Sequence, residues 1–156
     1  MKKHLMLVLA GWMLVTGGIL SAQDKDEAAV IVRLLQEYTD AVESKNMSEI
    51  EKYVLTTDEF TVFEGGHVNL GWTDYRDHHL APELKQFQEF KYEYKDIKAD
   101  VDQKLAVATF KYSIFIKMKE REISGEGLGT AVLVKTSDGW KIRHIHTSRS
   151  RRPRNK

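Results

Sequence analysis

From Asp24 to Ser44, apolar residues recur three or four apart at Ala28, Ile31, Leu34, Leu35, Tyr38 and Val42. That spacing predicts an amphipathic helix, with acidic residues early, where the positive end of a helix dipole favours them. Asn46 can cap a second helix, because its side chain can accept from the free amides of the next turn while Met47, Ile50, Tyr53 and Val54 supply an apolar stripe. This helix is expected to end near Thr56 to Asp58. FTVFE and HVNL then flank Gly65-Gly66, a pair that adopts positive φ freely and suits a two-residue hairpin turn. In that register Glu64 faces His67, Val62 faces Asn69, and Glu64, His67 and Asn69 share one face while Phe63, Val68 and Leu70 share the other. A third helix, capped by Thr73 or Asp74, is predicted through Leu84 and broken in its last turn by Pro82.

Beyond Phe87 the period changes to two. FQEFKYEYKDIKADV, LAVATFKYSIFIKM, EISGEGLGTAVLVKT and GWKIRHIHTSRS read as long strands joined by tight turns, which implies an antiparallel meander. Ala106, Ala108, Phe110, Tyr112, Ile114, Ile116 and Met118 fall on one face of their strand against Thr109, Lys111, Ser113, Lys117 and Lys119, so the sheet has a dry and a wet side. By the same alternation Trp140, Ile142, His144, His146 and Ser148 share the inward face of the last strand, opposed by Lys141, Arg143, Ile145, Thr147 and Arg149.

The two ends of the chain alter this picture. Two lysines, an uncharged apolar stretch from Leu5 to Leu20 and small residues at Ser21 and Ala22 have the layout of a secretory signal peptide, shorter than a membrane span of about 20 residues. The expected organisation is a signal at 1–22, one domain at 23–148 and a basic tail at 149–156. The mature protein is then periplasmic or secreted, with no stable membrane insertion. Losing Lys2 and Lys3 takes the formal charge from +1 to −1. The tail RSRRPRNK is read as solvated, and no nucleic-acid partner is expected of an otherwise acidic body. With no cysteine in its 156 residues, the chain has no disulfides, thiol chemistry or cysteine-ligated metals.

Helix, helix, short hairpin, helix and four long strands ending in GWKIRHIHTS resemble the nuclear transport factor 2-like superfamily, in particular its SnoaL-like branch. The resemblance implies an α+β fold: a cone-shaped, curved antiparallel sheet wrapped around three helices from the N-terminal half, with a pocket at its open end. It also implies pairing of subunits through the outer sheet face, so a homodimer is a candidate. Here that face is read as basic, from Lys111, Lys117, Lys119, Arg143 and Arg149, which keeps a monomer open. Ketosteroid isomerase, polyketide cyclases and dehydratases belong to this superfamily, so fold alone selects no activity. The isomerase's tyrosine and two buried aspartates have no convincing counterpart: Asp96 and Asp100 lie in a strand of poor alternation and Asp102 in a turn. No catalytic residue carries over.

The chemistry therefore rests on a polar constellation in EGGHVNLGWTDYRDHH. Trp72, Tyr75 and His79 lie along one side of the third helix, with Arg76 beside them and His78 turned away. With inward His144 and His146, these residues predict a histidine- and aromatic-lined pocket. The ligand-binding set is His67, Asn69, Trp72, Tyr75, Arg76, His79, His144 and His146, taking a small molecule without a cofactor. One alternative is an acid–base enzyme of isomerase, dehydratase or cyclase type, in which His79 or His144 moves a proton, Glu64 orients an imidazole and Tyr75 or Arg76 stabilises an oxyanion. Another is a copper or zinc site built from His67, His79, His144 and His146, which requires the four rings to converge at about 2 Å from one ion.

Overall fold

The computed structural model describes residues 17–150, with side chains from Asp26 onward; most of the expected signal segment and the end of the basic tail lie outside it. Helix α1 (Gly17–Glu43) presents Ile31, Leu35, Tyr38 and Val42 to the core, as the periodicity requires. Asn46 caps α2 (Met47–Ile50) by accepting from the Ser48 amide at 3.1 Å. This helix ends sooner than its apolar stripe suggests. Leu55 N donates to the Ile142 carbonyl (2.9 Å) and Ile142 N to that of Tyr53 (2.8 Å), so the segment leaves the helix to pair with the last strand.

Strands β1 (Thr61–Glu64) and β2 (His67–Leu70) form the expected hairpin, with Glu64 opposite His67 and Val62 opposite Asn69. The third helix comes in three pieces: α3 (Trp72–Tyr75), a π-helical turn (Arg76–Leu80) and α4 (Ala81–Gln86). Gly71, at φ 89°, occupies the N-cap instead of Thr73 or Asp74. Pro82 opens α4 and does not break a last turn. Having no amide hydrogen, it cannot donate to the preceding turn, and the helix widens there.

Strands β3 (Glu89–Asp102), β4 (Leu105–Lys117), β5 (Glu122–Thr136) and β6 (Gly139–Arg149) complete a six-stranded sheet in the order β2-β1-β6-β5-β4-β3. The meander is antiparallel, as predicted, but β1 runs parallel to β6, so the curved, unclosed sheet is mixed. Its concave face holds the core. On β4 the alternation holds throughout, with Ala106, Ala108, Phe110, Tyr112 and Ile116 buried. Opposite them β5 is pared down: a Cβ on Gly127 would overlap the Tyr112 ring and the Ser148 carbonyl, and one on Gly129 the Phe110 ring.

Two bulges re-aim side chains. On β3 the register shifts between Lys95 and Lys98, with Asp96 at φ 52°. Phe90, Tyr92 and Tyr94 point inward before it and Ile97, Ala99 and Val101 after it, which explains the poor alternation. Asp96 is thrown outward to Lys111 (2.8 Å). On β6, Val132 pairs with His144 but Leu133 with Ile142, leaving Arg143 as the extra residue. Trp140 and Ile142 are buried before the bulge, Ile145 and Thr147 after it.

Candidate functional site

The hairpin tip and the π turn meet at the open end of the cone. The turn requires the freedom of Gly65 and Gly66, at φ 59° and 90°, and it holds Glu64 inward at the end of β1. The helix carries His79 across to it. The ring packs edge-on against buried Tyr75, 5.2 Å between centroids, and its side chain is only 16% exposed. Nε2 faces two carboxylates, Glu83 at 3.6 Å and Glu64 at 3.9 Å. Nδ1 lies 2.8 Å from Asn69 Oδ1, and Asn69 Nδ2 donates to Asp74 Oδ2 at 2.9 Å. Asp74 also accepts from the Leu70 amide at 3.2 Å.

Before this polar wall opens a cleft of about 620 Å³. Its opposite wall is apolar, formed by Ile114, Ile116 and Met118 of the β4 end, Ile123 of β5 and Phe87. Arg121 and Arg149 stand at the rim and Gln86 closes the helical side. Deeper in, Tyr38, Tyr75, Tyr92, Tyr94 and Tyr112 pack close enough for Glu64 to act on all five. Burial, reinforced by that negative charge, pushes their hydroxyls above the ordinary phenol range and keeps them protonated. Tyr92 and Tyr94 share a hydrogen bond of 3.0 Å between hydroxyls, and Tyr94 stacks on Phe110 at 3.8 Å.

Burial raises the Glu64 carboxyl above its usual range, against a lowering pull from His79. The folded protein thus holds this proton more tightly than the unfolded chain does. Stability is full below the unfolded pKa and declines as pH rises through the folded one. Glu64→Gln should therefore raise the melting temperature at about pH 7.5, by about 1–3 °C given the exposure of the group, and give no gain near pH 3.5. Thermal melts at the two pH values check this, and a destabilised variant at the higher pH would contradict it.

Only part of the predicted constellation assembles here. Glu64, His67 and His79 line the cleft. Asn69 sits behind His79, in an adjoining groove of about 340 Å³ that it lines with His78 and Pro82 and that has His67, His79, Glu83 and Gln86 in common with the cleft. Tyr75 belongs to the core beneath His79, and Trp72 is buried against Phe60 with its indole N–H donated to Glu51 at 2.9 Å. A guanidinium beside an apolar row needs an acid or an anionic ligand, and Arg76 finds its acids away from the cleft, in Asp77 (2.7 Å) and Glu51 (3.4 Å), not in Glu64 or Glu83. His78 is exposed beside Asp74, away from the cleft as read.

His144 and His146 need the largest correction. The Arg143 bulge turns both onto the convex face, where Phe63 packs edge-on at 5.0 Å from His144 and 6.3 Å from His146, and Thr61 hydrogen-bonds His144 at 2.7 Å. The same bulge turns Arg149 inward, so it leaves the outer basic set and joins the cleft. His67 and His79 approach to 6.2 Å between ring centroids, but the four histidines do not converge. Among the described residues no group of three or more histidine or acidic side chains is arranged to hold a metal ion. Glu83 was not among the expected site residues, Arg149 was expected on the outer face, and Ile114, Ile116 and Met118 were expected on the dry face of the sheet without a place in the site. A cue was present: Ile142 and Ile145 lie three apart, where an unbroken strand would space inward residues by two.

Several solved structures share the fold. A nuclear transport factor 2-like superfamily protein from Salmonella enterica superimposes with a TM-score of 0.75 at 16% identity, covering 85% of this chain and 95% of that one. A proposed dehydratase of the same family from Streptomyces avermitilis gives 0.73 at 16% identity, covering 82% and 99%. The association domain of CaMKII from C. elegans gives 0.65 at 16% identity, covering 81% and 98%. No curated protein matches the sequence. A family model for the SnoaL-like domain matches residues 31–151, most of the chain, and with the cone now described the protein belongs to the SnoaL-like domain family.

Proposed function

We propose that this is an exported small-molecule-binding protein whose ligand is an amphiphile seated in the cleft at the mouth of the cone. One observation carries the reading: a cavity of about 620 Å³, of a size to enclose a small organic molecule, sets an apolar wall of Phe87, Ile114, Ile116, Met118 and Ile123 against a polar wall of Glu64, His79 and Glu83. The ligand's body lies along the isoleucines and its polar group meets His79. Acid–base chemistry is the second reading, favoured because Nε2 of a largely enclosed imidazole faces the cleft between two carboxylates. In that case His79 moves the proton, Glu64 steadies the charged ring, and Tyr75 supports the ring from below without touching the ligand. The dehydratase proposed among the fold neighbours supports this only as chemistry that the fold accommodates.

Self-association through the convex face belongs to the same proposal. Leu105, Val107 and Leu128 are exposed there, at 46%, 41% and 58%, and one fold neighbour is an association domain.

Native mass spectrometry of protein freshly isolated from the periplasm of its host tests these points together. The expected spectrum shows a polypeptide beginning at Gln23, a copy number above one, and a bound small molecule that Met118→Glu removes without lowering the melting temperature. A bare chain that also fails to take up any amphiphile on titration overturns the binding reading. A chain beginning at Met1 overturns signal cleavage, and a single-copy mass at micromolar concentration overturns the dimer.

A further inference from the structure

Asn69 has only one amide orientation open to it. Asp74 is ionised, its carboxyl held below the ordinary range by hydrogen bonds from Asn69 and His78, and a carboxylate can only accept. The Asn69 NH2 group therefore faces Asp74 and its carbonyl faces His79. A carbonyl accepts, so the imidazole must place a proton on Nδ1. In the neutral ring the cleft-facing Nε2 is then bare. It stands 3.6 Å from one Glu83 oxygen and 3.9 Å from one Glu64 oxygen, too far for a hydrogen bond to either. Three acceptors thus converge with no donor among them.

We infer that Asn69, anchored by Asp74, is a positioning residue that holds neutral His79 as its Nδ1–H tautomer, and that the cleft thereby selects ligands whose polar end donates a hydrogen bond. The group that matches His79 is a hydroxyl or phenol on an apolar body; a ketone, an ether or a carboxylate would set a further acceptor against Nε2 and would have to turn to Arg121 or Arg149 at the rim for a donor. Should proton transfer follow, the hydroxyl proton passes to Nε2, the ring becomes imidazolium, and the negative charge stays on the ligand oxygen. The ligand half of this inference rests on the cleft being the binding site; the tautomer half does not.

Asp74→Asn tests it without altering any residue of the cleft. An amide at position 74 can donate as well as accept, which frees Asn69 to rotate and present its NH2 group to Nδ1. Long-range ¹⁵N–¹H spectra of the histidine rings, recorded in alkaline buffer where the ring is neutral, read the tautomer directly. The expected result is a pyrrole-type Nδ1 and pyridine-type Nε2 for His79 in the wild type, and a mixture of both tautomers in Asp74→Asn. A pyrrole-type Nε2 in the wild type, or an unchanged tautomer in the variant, overturns the positioning role. A matched pair of probes, para-hexylphenol and its methyl ether, reads the selectivity. The phenol should bind about tenfold more tightly to the wild type, the worth of one hydrogen bond into a polar site, and the gap should narrow in Asp74→Asn. Equal affinity for the two probes overturns the donor preference. Binding of neither, with the tautomer as expected, overturns the cleft as the site and leaves the role of Asn69 supported by the spectra.

Discussion

Gly127→Ala is expected to cost about 3 kcal/mol or more of folding stability, near the upper end of what overpacking usually costs. The added methyl group would lie inside van der Waals contact of both the Tyr112 ring and the Ser148 backbone carbonyl. The ring could tilt aside, but the carbonyl belongs to the neighbouring strand, in the register that joins Leu128 to Ser148. Relief therefore requires β5 and β6 to separate at the mouth of the cone. Gly129→Ala should cost less, because the three atoms nearest its added methyl group all belong to the Phe110 side chain and none to backbone. Urea unfolding of the two variants, with exposed Ser124→Ala as a control, provides the measurement. A loss below about 1 kcal/mol for Gly127→Ala would show that the strand pair is softer than its packing implies.

His79→Leu should weaken binding of para-hexylphenol by about 10- to 100-fold while leaving the fold near wild-type stability. Leucine removes the acceptor and leaves the buried hydroxyl of the probe unsatisfied, which costs about 1–3 kcal/mol and brackets that range. Leucine keeps an apolar contact with Tyr75 in place of the edge-on ring at 5.2 Å, so the effect falls on recognition and spares packing. Titration calorimetry supplies the affinity and a thermal melt the stability. His144→Leu is the natural comparison, since that ring lies on the convex face beside Phe63 and should leave binding unchanged. Should His144→Leu weaken binding as much as His79→Leu does, the ligand would not sit in the cleft at the mouth of the cone.

The contrast between these two histidines shows how far a strand pattern can be read. Every alternation along β4 held, because an uninterrupted strand sends successive side chains to opposite faces and burial of Phe110, Tyr112 and Ile116 enforces the register. On β6 one extra residue inverted everything after Arg143. His144 and His146 moved out and Arg149 moved in, although Trp140 and Ile142 were placed correctly. Arg76 failed for another reason. Its position beside an apolar row did demand an acid, but Glu51 of the segment after α2 and adjacent Asp77 supplied it, and neither contact is visible in the spacing of one helix.

Local chemistry was legible wherever it is decided within a few residues. Asn46 caps α2, Gly65-Gly66 turns the hairpin so that Glu64 faces His67, and the period of α1 buries Tyr38, each by short-range geometry that the residue types impose. The order of the elements carried the α+β cone as well, through its resemblance to the nuclear transport factor 2-like superfamily. What only the tertiary structure decided is the site. Glu64, His79, Glu83 and Arg149 come from four segments, and their convergence depends on the parallel pairing of β1 with β6, the bulge at Arg143 and the π turn before Pro82. Each of these shifts a side chain to another face for the sake of long-range packing, and a periodicity read within one segment contains no trace of the partner that compels the shift.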